Sequence, residues 1–175
     1  MKLLEARVHG LVIESGNQQH VVLLRELDGV RILPIWIGPG EAMAIRRLLA
    51  GEAFPRPLTH DLLALVVEGL KARVTRIVIT DLREGTFFAS VLIERDKDML
   101  SVDARPSDSI AIALRTKAPI FVNEDLLQAP PGEEADREGP PPDEPPAPPS
   151  DEDKAEQLRR FLEKLNPEDF GKFQM

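Results

Sequence analysis

The 175-residue chain has no cysteine and no tyrosine, one tryptophan and three histidines. Without cysteine there is no disulfide framework, no thiol nucleophile and no zinc site built on sulfur. Long apolar runs are missing as well. The longest hold about half a dozen residues, as at 62–67, where a bilayer span needs about 20. The first ten residues alternate charged and apolar side chains and lack the apolar core of a signal peptide. No nucleophile elbow, P-loop or dinucleotide-binding glycine pattern occurs. The expectation is a cytoplasmic enzyme or binding protein with no membrane partner.

What is present is unevenly spread. The formal net charge is −8, which by itself argues against a nucleic-acid partner. Yet residues 1–129 carry 16 Lys/Arg and 17 Asp/Glu, whereas residues 130–175 carry 6 and 13. Nine of the 16 prolines fall in 130–150, a stretch with no aromatic or β-branched residue. Such a segment cannot bury enough apolar surface to offset its ordering entropy and reads as a disordered acidic linker. After it, Ser150 and Asp153 form a capping-box-like pair, and Ala155, Leu158, Phe161, Leu162 and Leu165 recur at helical spacing up to Asn166-Pro167. The division is therefore a domain at 1–129, a linker at 130–150 and an amphipathic helix with tail at 151–175. A lone helix of about 15 residues is marginal in water, so its apolar stripe needs a surface, in cis or on a protein partner. An acidic strip of this kind also has the character of a cover for a basic cleft.

The domain reads as three strands at 3–14, 19–27 and 31–37, with a hairpin signal at Asp28-Gly29. A helix follows, with Pro39 in its first turn and Gly51 past its end. A second helix at 61–70, capped by Thr59, presents Leu62, Leu63, Val66, Val67 and Leu70 as its apolar face. Strands at 73–82, 86–95 and 99–104, a helix opened by Arg105-Pro106-Ser107-Asp108 and running through Thr116, and a short strand at 118–122 complete it. The halves superpose at an offset of 67: Leu33 on Leu100, Ile35 on Val102, Pro39 on Pro106, Glu41 on Asp108, Ala44 on Ala111 and Ile45 on Ile112. This predicts an α+β fold built on a duplicated βββα unit with an additional helix, its sheets mainly antiparallel or mixed.

Carboxylates at Glu41, Asp61, Asp81, Asp103 and Asp108, with His60, are the candidate ligands for a hard cation such as Mg²⁺ or Mn²⁺. Glu41, Asp61 and Asp108 are equally explained as first-turn acids complementing a helix dipole. Val102–Ser109 concentrates Asp103, Arg105, Ser107 and Asp108 at a strand-to-helix junction. It suits an anion pocket, or else an internal ion pair of Arg105 with Asp103 or Glu41. Arg56 lies in a stiff Pro-Arg-Pro loop. Arg46-Arg47 reads as a solvated helix face, and Phe87-Phe88 as one core ring and one outward ring.

Several separated motifs share a resemblance. They are LPIWIGPGEAMAI (33–45), PRPLTHDLL (55–63), FFASVLIE (87–94), VDARPSDSIAIALR (102–115) and API-F-V (118–122). In this order they resemble the bifunctional nuclease domain family over about residues 1–127. The terminal NPEDFGKF (166–173) is similar to the ending of bacterial members with an acidic linker. The resemblance implies DNase and RNase activity and a homo-oligomer, commonly a dimer, with nucleic acid as substrate. It matches at Glu41, Arg56, Pro57, Thr59, His60, Asp61, Asp103, Arg105, Pro106, Ser107 and Asp108. On that reading His60, Asp61, Asp103 and Asp108 are catalytic, with His60 as general acid or base. Arg56, Thr59, Arg105 and Ser107 hold substrate, and Glu41, Asp103 and Asp108 hold Mg²⁺ or Mn²⁺. The competing expectation is a non-catalytic homo-oligomeric module binding an anionic ligand or a protein partner.

Overall fold

The computed structural model describes residues 1–13 and 19–130. The linker and terminal helix expected at 130–150 and 151–175 lie, past Pro130, outside the described residues. Seven strands form one mixed sheet: β1 (Leu3–Ile13), β2 (His20–Glu26), β3 (Ile32–Ile37), β4 (Ala72–Arg83), β5 (Thr86–Arg95), β6 (Asp98–Ala104) and β7 (Ile120–Asn123). Three helices, α1 (Pro39–Leu49), α2 (Thr59–Gly69) and α3 (Pro106–Thr116), and a 3₁₀ turn at Glu124–Leu126 accompany it.

The sheet order is β3-β2-β1-β7-β4-β5-β6. Each side is an antiparallel meander, and β7 joins them, antiparallel to β1 and parallel to β4. The order βββα thus occurs twice, on either side of β7, in an α+β fold. A common origin of the two halves is a separate matter from this shared order. The β4–β5 hairpin turns on Glu84 and Gly85, both at positive φ, as a two-residue loop between twisted strands requires. Gly51, at φ +66°, closes α1 in the left-handed region that a side chain disfavours.

Alternation along the strands sorts the sheet into two faces. Ala6, Val22, Leu24, Leu33, Ile35, Ile77, Ile79, Phe87, Ala89, Val91, Ile120 and Val122 form one core with Ala42 and Ile45 of α1 and Ile110, Ala111 and Ala113 of α3. All are buried, so this layer supplies most of the apolar driving force. Phe87 belongs to this core, whereas Phe88 is outward, beneath the Arg83 guanidinium at 5.2 Å. The helix layer runs α1-α3-α2, with α3 against β4 and β5.

The second helix departs from expectation. It begins at Thr59 rather than Asp61, and Leu58, not Thr59, is its N-cap residue. The orphan N–H of Leu58 donates to Asp61 Oδ2 at 3.0 Å, so the acid two positions into the helix does the capping. The predicted apolar face is not buried either, since α2 has no buried residue. It turns the narrow stripe Asp61, Ala64 and Val67 inward and leaves Leu62, Leu63, Val66 and Leu70 exposed. The sequence pattern alone is apolar nearly all round, so it could not choose the inward side.

Candidate functional site

Pro39 and Pro106 start α1 and α3 in the same way, each with an acid two residues later. Because α1 and α3 pack together, these equivalent acids, Glu41 and Asp108, come to flank one guanidinium. Arg105 Nη1 lies 2.9 Å from Glu41 Oε1, and Arg105 Nε donates to Asp108 Oδ2 at 2.8 Å. Helix α2 adds the next member: His60 Nε2 lies 3.1 Å from Asp108 Oδ1. The chain Glu41–Arg105–Asp108–His60 therefore ties the N-termini of all three helices. The ion pair anticipated between Arg105 and Glu41 is present, and the expected meeting of the two motif regions occurs at His60 and Asp108.

The environment grades from buried to open. The side chains of His60 and Glu41 are 15% and 16% exposed, whereas that of Arg105 is 58% exposed. Hydrogen bonds from His60 and Arg105 hold the Asp108 carboxyl below its ordinary value, against a burial effect that opposes them. Asp108 beside Arg105 raises the guanidinium in turn, with Glu41 adding to it. An ionised Asp108 can only accept, so in a neutral imidazole the proton sits on Nε2 and Nδ1 keeps its lone pair. Arg105 spends Nε and Nη1 on the two acids and keeps an exposed edge with donors for an anion.

Asp61 serves structure rather than this chain of contacts. Besides capping Leu58, its Oδ1 pairs with Arg115 Nε at 3.0 Å, and its side chain is 14% exposed. Arg115 escaped the sequence reading because a lone Arg in a last helical turn looks like a dipole partner. Only the packing of α2 on α3 reveals its role. Arg56 and Thr59 are exposed in and after the Pro-Arg-Pro loop, and Arg56 makes no hydrogen bond or ion pair among the described residues. Ser107 is buried in the first turn of α3.

Asp103 does not join the cluster. It sits on edge strand β6 opposite Ser90, and alternation with Ala104 and Val102 turns it to the sheet face away from the helices. The expected ligand trio Glu41, Asp103 and Asp108 is therefore not assembled. Among the described residues no group of three or more His, Asp or Glu stands in a metal-holding arrangement. The two acids that do meet have Arg105 between them, where a cation would have to sit. The residues in this arrangement do not fit Mg²⁺ or Mn²⁺, and no chemical step is derived through one.

No helix among the described residues is long and apolar enough to cross a membrane. A family model for the bifunctional nuclease domain matches residues 22–133. An uncharacterized protein of Mycobacterium tuberculosis (strain ATCC 25618 / H37Rv) is 43% identical over 170 residues, covering 95% of this chain and 97% of its own. "Bifunctional nuclease 1" of Oryza sativa subsp. japonica is 27% identical over 117 residues, 65% of this chain and 35% of that protein. "Bifunctional nuclease 2" of Arabidopsis thaliana is 29% identical over 109 residues, 60% of this chain and 33% of its own. The chain thus spans about a third of the plant proteins and nearly the whole mycobacterial one. With the motif regions joined at the head of three helices and the family model covering most of the described residues, the chain belongs to the bifunctional nuclease domain family.

Proposed function

We propose that this protein hydrolyses phosphodiester bonds of DNA, RNA or both at the His60–Asp108–Arg105–Glu41 chain. The contact of His60 with Asp108 carries the reading, because it supplies an oriented imidazole beside a guanidinium with open donors. Asp108 fixes the ring so that Nδ1 takes a proton from the water attacking phosphorus, and as the P–O ester bond breaks the imidazolium returns a proton to the departing oxygen. The exposed edge of Arg105, with Arg56 from its stiff loop, receives the non-bridging phosphate oxygens and the charge that grows on them. Glu41 holds the other side of Arg105 and keeps the guanidinium from folding onto Asp108 alone.

The test is cleavage of labelled single- and double-stranded DNA and RNA by the purified chain, with Mg²⁺, with Mn²⁺ and with a chelator. His60→Ala and Asp108→Ala should each lower the rate by about 10²-fold or more, the usual worth of positioned acid–base catalysis. Equal rates in the variants would mean a contaminating nuclease. An inert wild-type chain that is thermally stabilised by nucleotide or phosphate would replace this reading with the binding-module one.

The working unit is a pair of chains joined through α2 and the β6 edge. Leu62, Leu65, Val66 and Leu70 of α2 are 49–58% exposed, and Leu100 and Val102 of β6, on the helix side of the sheet, are 46–49% exposed. These six alone expose on the order of 500 Å² of apolar surface, where a monomer's largest patch is about 300–600 Å² and a stable dimer takes about 800 Å² per partner. Strand β6 adds an unpaired backbone edge, which a second copy of itself would complete.

A further inference from the structure

The sheet face opposite the helices is buried where no described helix lies. Leu23 and Val78 alternate away from the helix-side core that holds Val22, Leu24, Ile77 and Ile79, yet they are 2% and 5% exposed. Pro34, across from Leu23, and Val21 are buried beside them. The border of this patch carries arginines, with Glu5 opposite Phe121 on the same face. Arg7 and Arg25 stand directly opposite each other on β1 and β2, and Arg76 lies over Phe121 at 5.8 Å. Like charges directly opposite in a sheet are destabilising unless an anion lies across them.

We propose that residues 151–165 of this same chain, as an amphipathic helix, cover this face. Their stripe of Leu158, Phe161, Leu162 and Leu165 supplies the apolar cover that Leu23 and Val78 need. The first six residues of this segment gather four acids, Asp151, Glu152, Asp153 and Glu156, against Lys154, and these meet the arginines, while Arg159, Arg160 and Lys164 leave 151–165 as a whole nearly neutral. The geometry of departure also fits. Gln128 bridges to Ile32 at the start of β3, so the described chain ends on the strand next to β2 and the patch. From Pro130 to Ala155 is 25 residues. A Pro-rich segment of that length reaches up to about 75 Å at about 3.1 Å per residue, more than the width of a seven-stranded sheet at about 4.8 Å per strand. Docking in cis needs no strain.

Trp36, the single tryptophan, is the probe: it pairs with Val21 and strand alternation places both on this face, although both also pack into the one buried cluster with Ile35 and Ile37. In the full-length chain, Leu158→Asp with Phe161→Asp should shift Trp36 emission to the red and at least double its quenching by acrylamide. Amide exchange in β2 and around Val78 should accelerate at least tenfold, while Phe173→Asp, outside the stripe, changes neither. Arg7→Glu with Arg25→Glu should reproduce the effect from the other side. Emission and exchange that stay at wild-type values in both double variants would overturn the proposal. A Trp36 signal that depends on protein concentration would overturn docking in cis in favour of a second copy. A wild-type signal that an oligonucleotide changes as strongly as the double variant does would make nucleic acid the occupant instead.

Discussion

Asp108 accepts from Arg105 and His60 at once, and its energetics follow from that. With its carboxyl held low in the fold, the contribution to stability is full above the unfolded-state value and is lost only as pH falls through the lower folded value. Asp108→Asn should therefore lower stability at pH 7 by about 1–3 kcal/mol, the range for leaving a partly buried partner unsatisfied. In pH-dependent thermal melts the gap to wild type should persist down to the ordinary carboxyl value of 3.8 and close only below it. A constant gap through strong acid would show that packing, not charge, is lost. Conservative replacement of Arg105 is informative in a different way. Arg105→Lys keeps one positive charge but cannot reach Glu41 and Asp108 together in a planar fork, so activity should fall by at least tenfold while the fold is kept. At this scale the sequence showed which residue types meet the chemistry, because acids after a first-turn proline are visible by inspection. It could not show that Asp103 faces the other way. The one-residue parity of β6 becomes decisive only once its register with β5 is known.

At the scale of elements, α2 is the described α-helix with no buried residue. Its inward stripe is narrow, and Asp61 secures it twice, through the Leu58 cap and through Arg115. Asp61→Ala should cost about 1–2 kcal/mol from the lost cap and, because His60 rides one residue away, should also lower activity. Arg115→Ala removes the pair without touching the cap. It should therefore loosen α2 less, and the two rates of amide exchange in 62–69 should rank in that order. Strand boundaries and the helix starts at Pro39 and Pro106 were legible because proline, glycine and alternation leave local marks. The inward side of α2 was not, since a helix that is apolar nearly all round has no single moment to read. On the proposed pairing of two chains, that composition serves the contact between them.

At the scale of the whole molecule, the described residues form two apolar surfaces that differ in kind. The α2 and β6 surface is open, and on the proposed pairing of two chains through it light scattering should give twice the chain mass. Leu65→Asp with Leu100→Asp should return the mass of one chain, with the fold intact because both positions are exposed. An unchanged mass in the double variant would place the contact elsewhere. The opposite sheet face is buried at Leu23 and Val78, with Arg7, Arg25 and Arg76 near it. The net charge of −8 therefore describes neither surface; it belongs chiefly to the residues beyond the domain. Topology at this scale was partly legible, as two meanders with matching helix starts. The junction between them was hidden, because nothing in the short run at 120–123 says that it sits at the centre of the sheet.

That central position of β7 governs how the chain is made. Leu3 pairs with Asn123 and Ile77 with Ile120, so neither meander has its inner neighbour until β7 has been synthesised. Both half-sheets wait with an open edge, β1 on one side and β4 on the other. Contacts this distant in sequence make folding slow relative to helical domains of equal size. A nascent chain arrested before residue 120 holds two unclosed edges rather than half a protein, and it is this species that chaperones would meet.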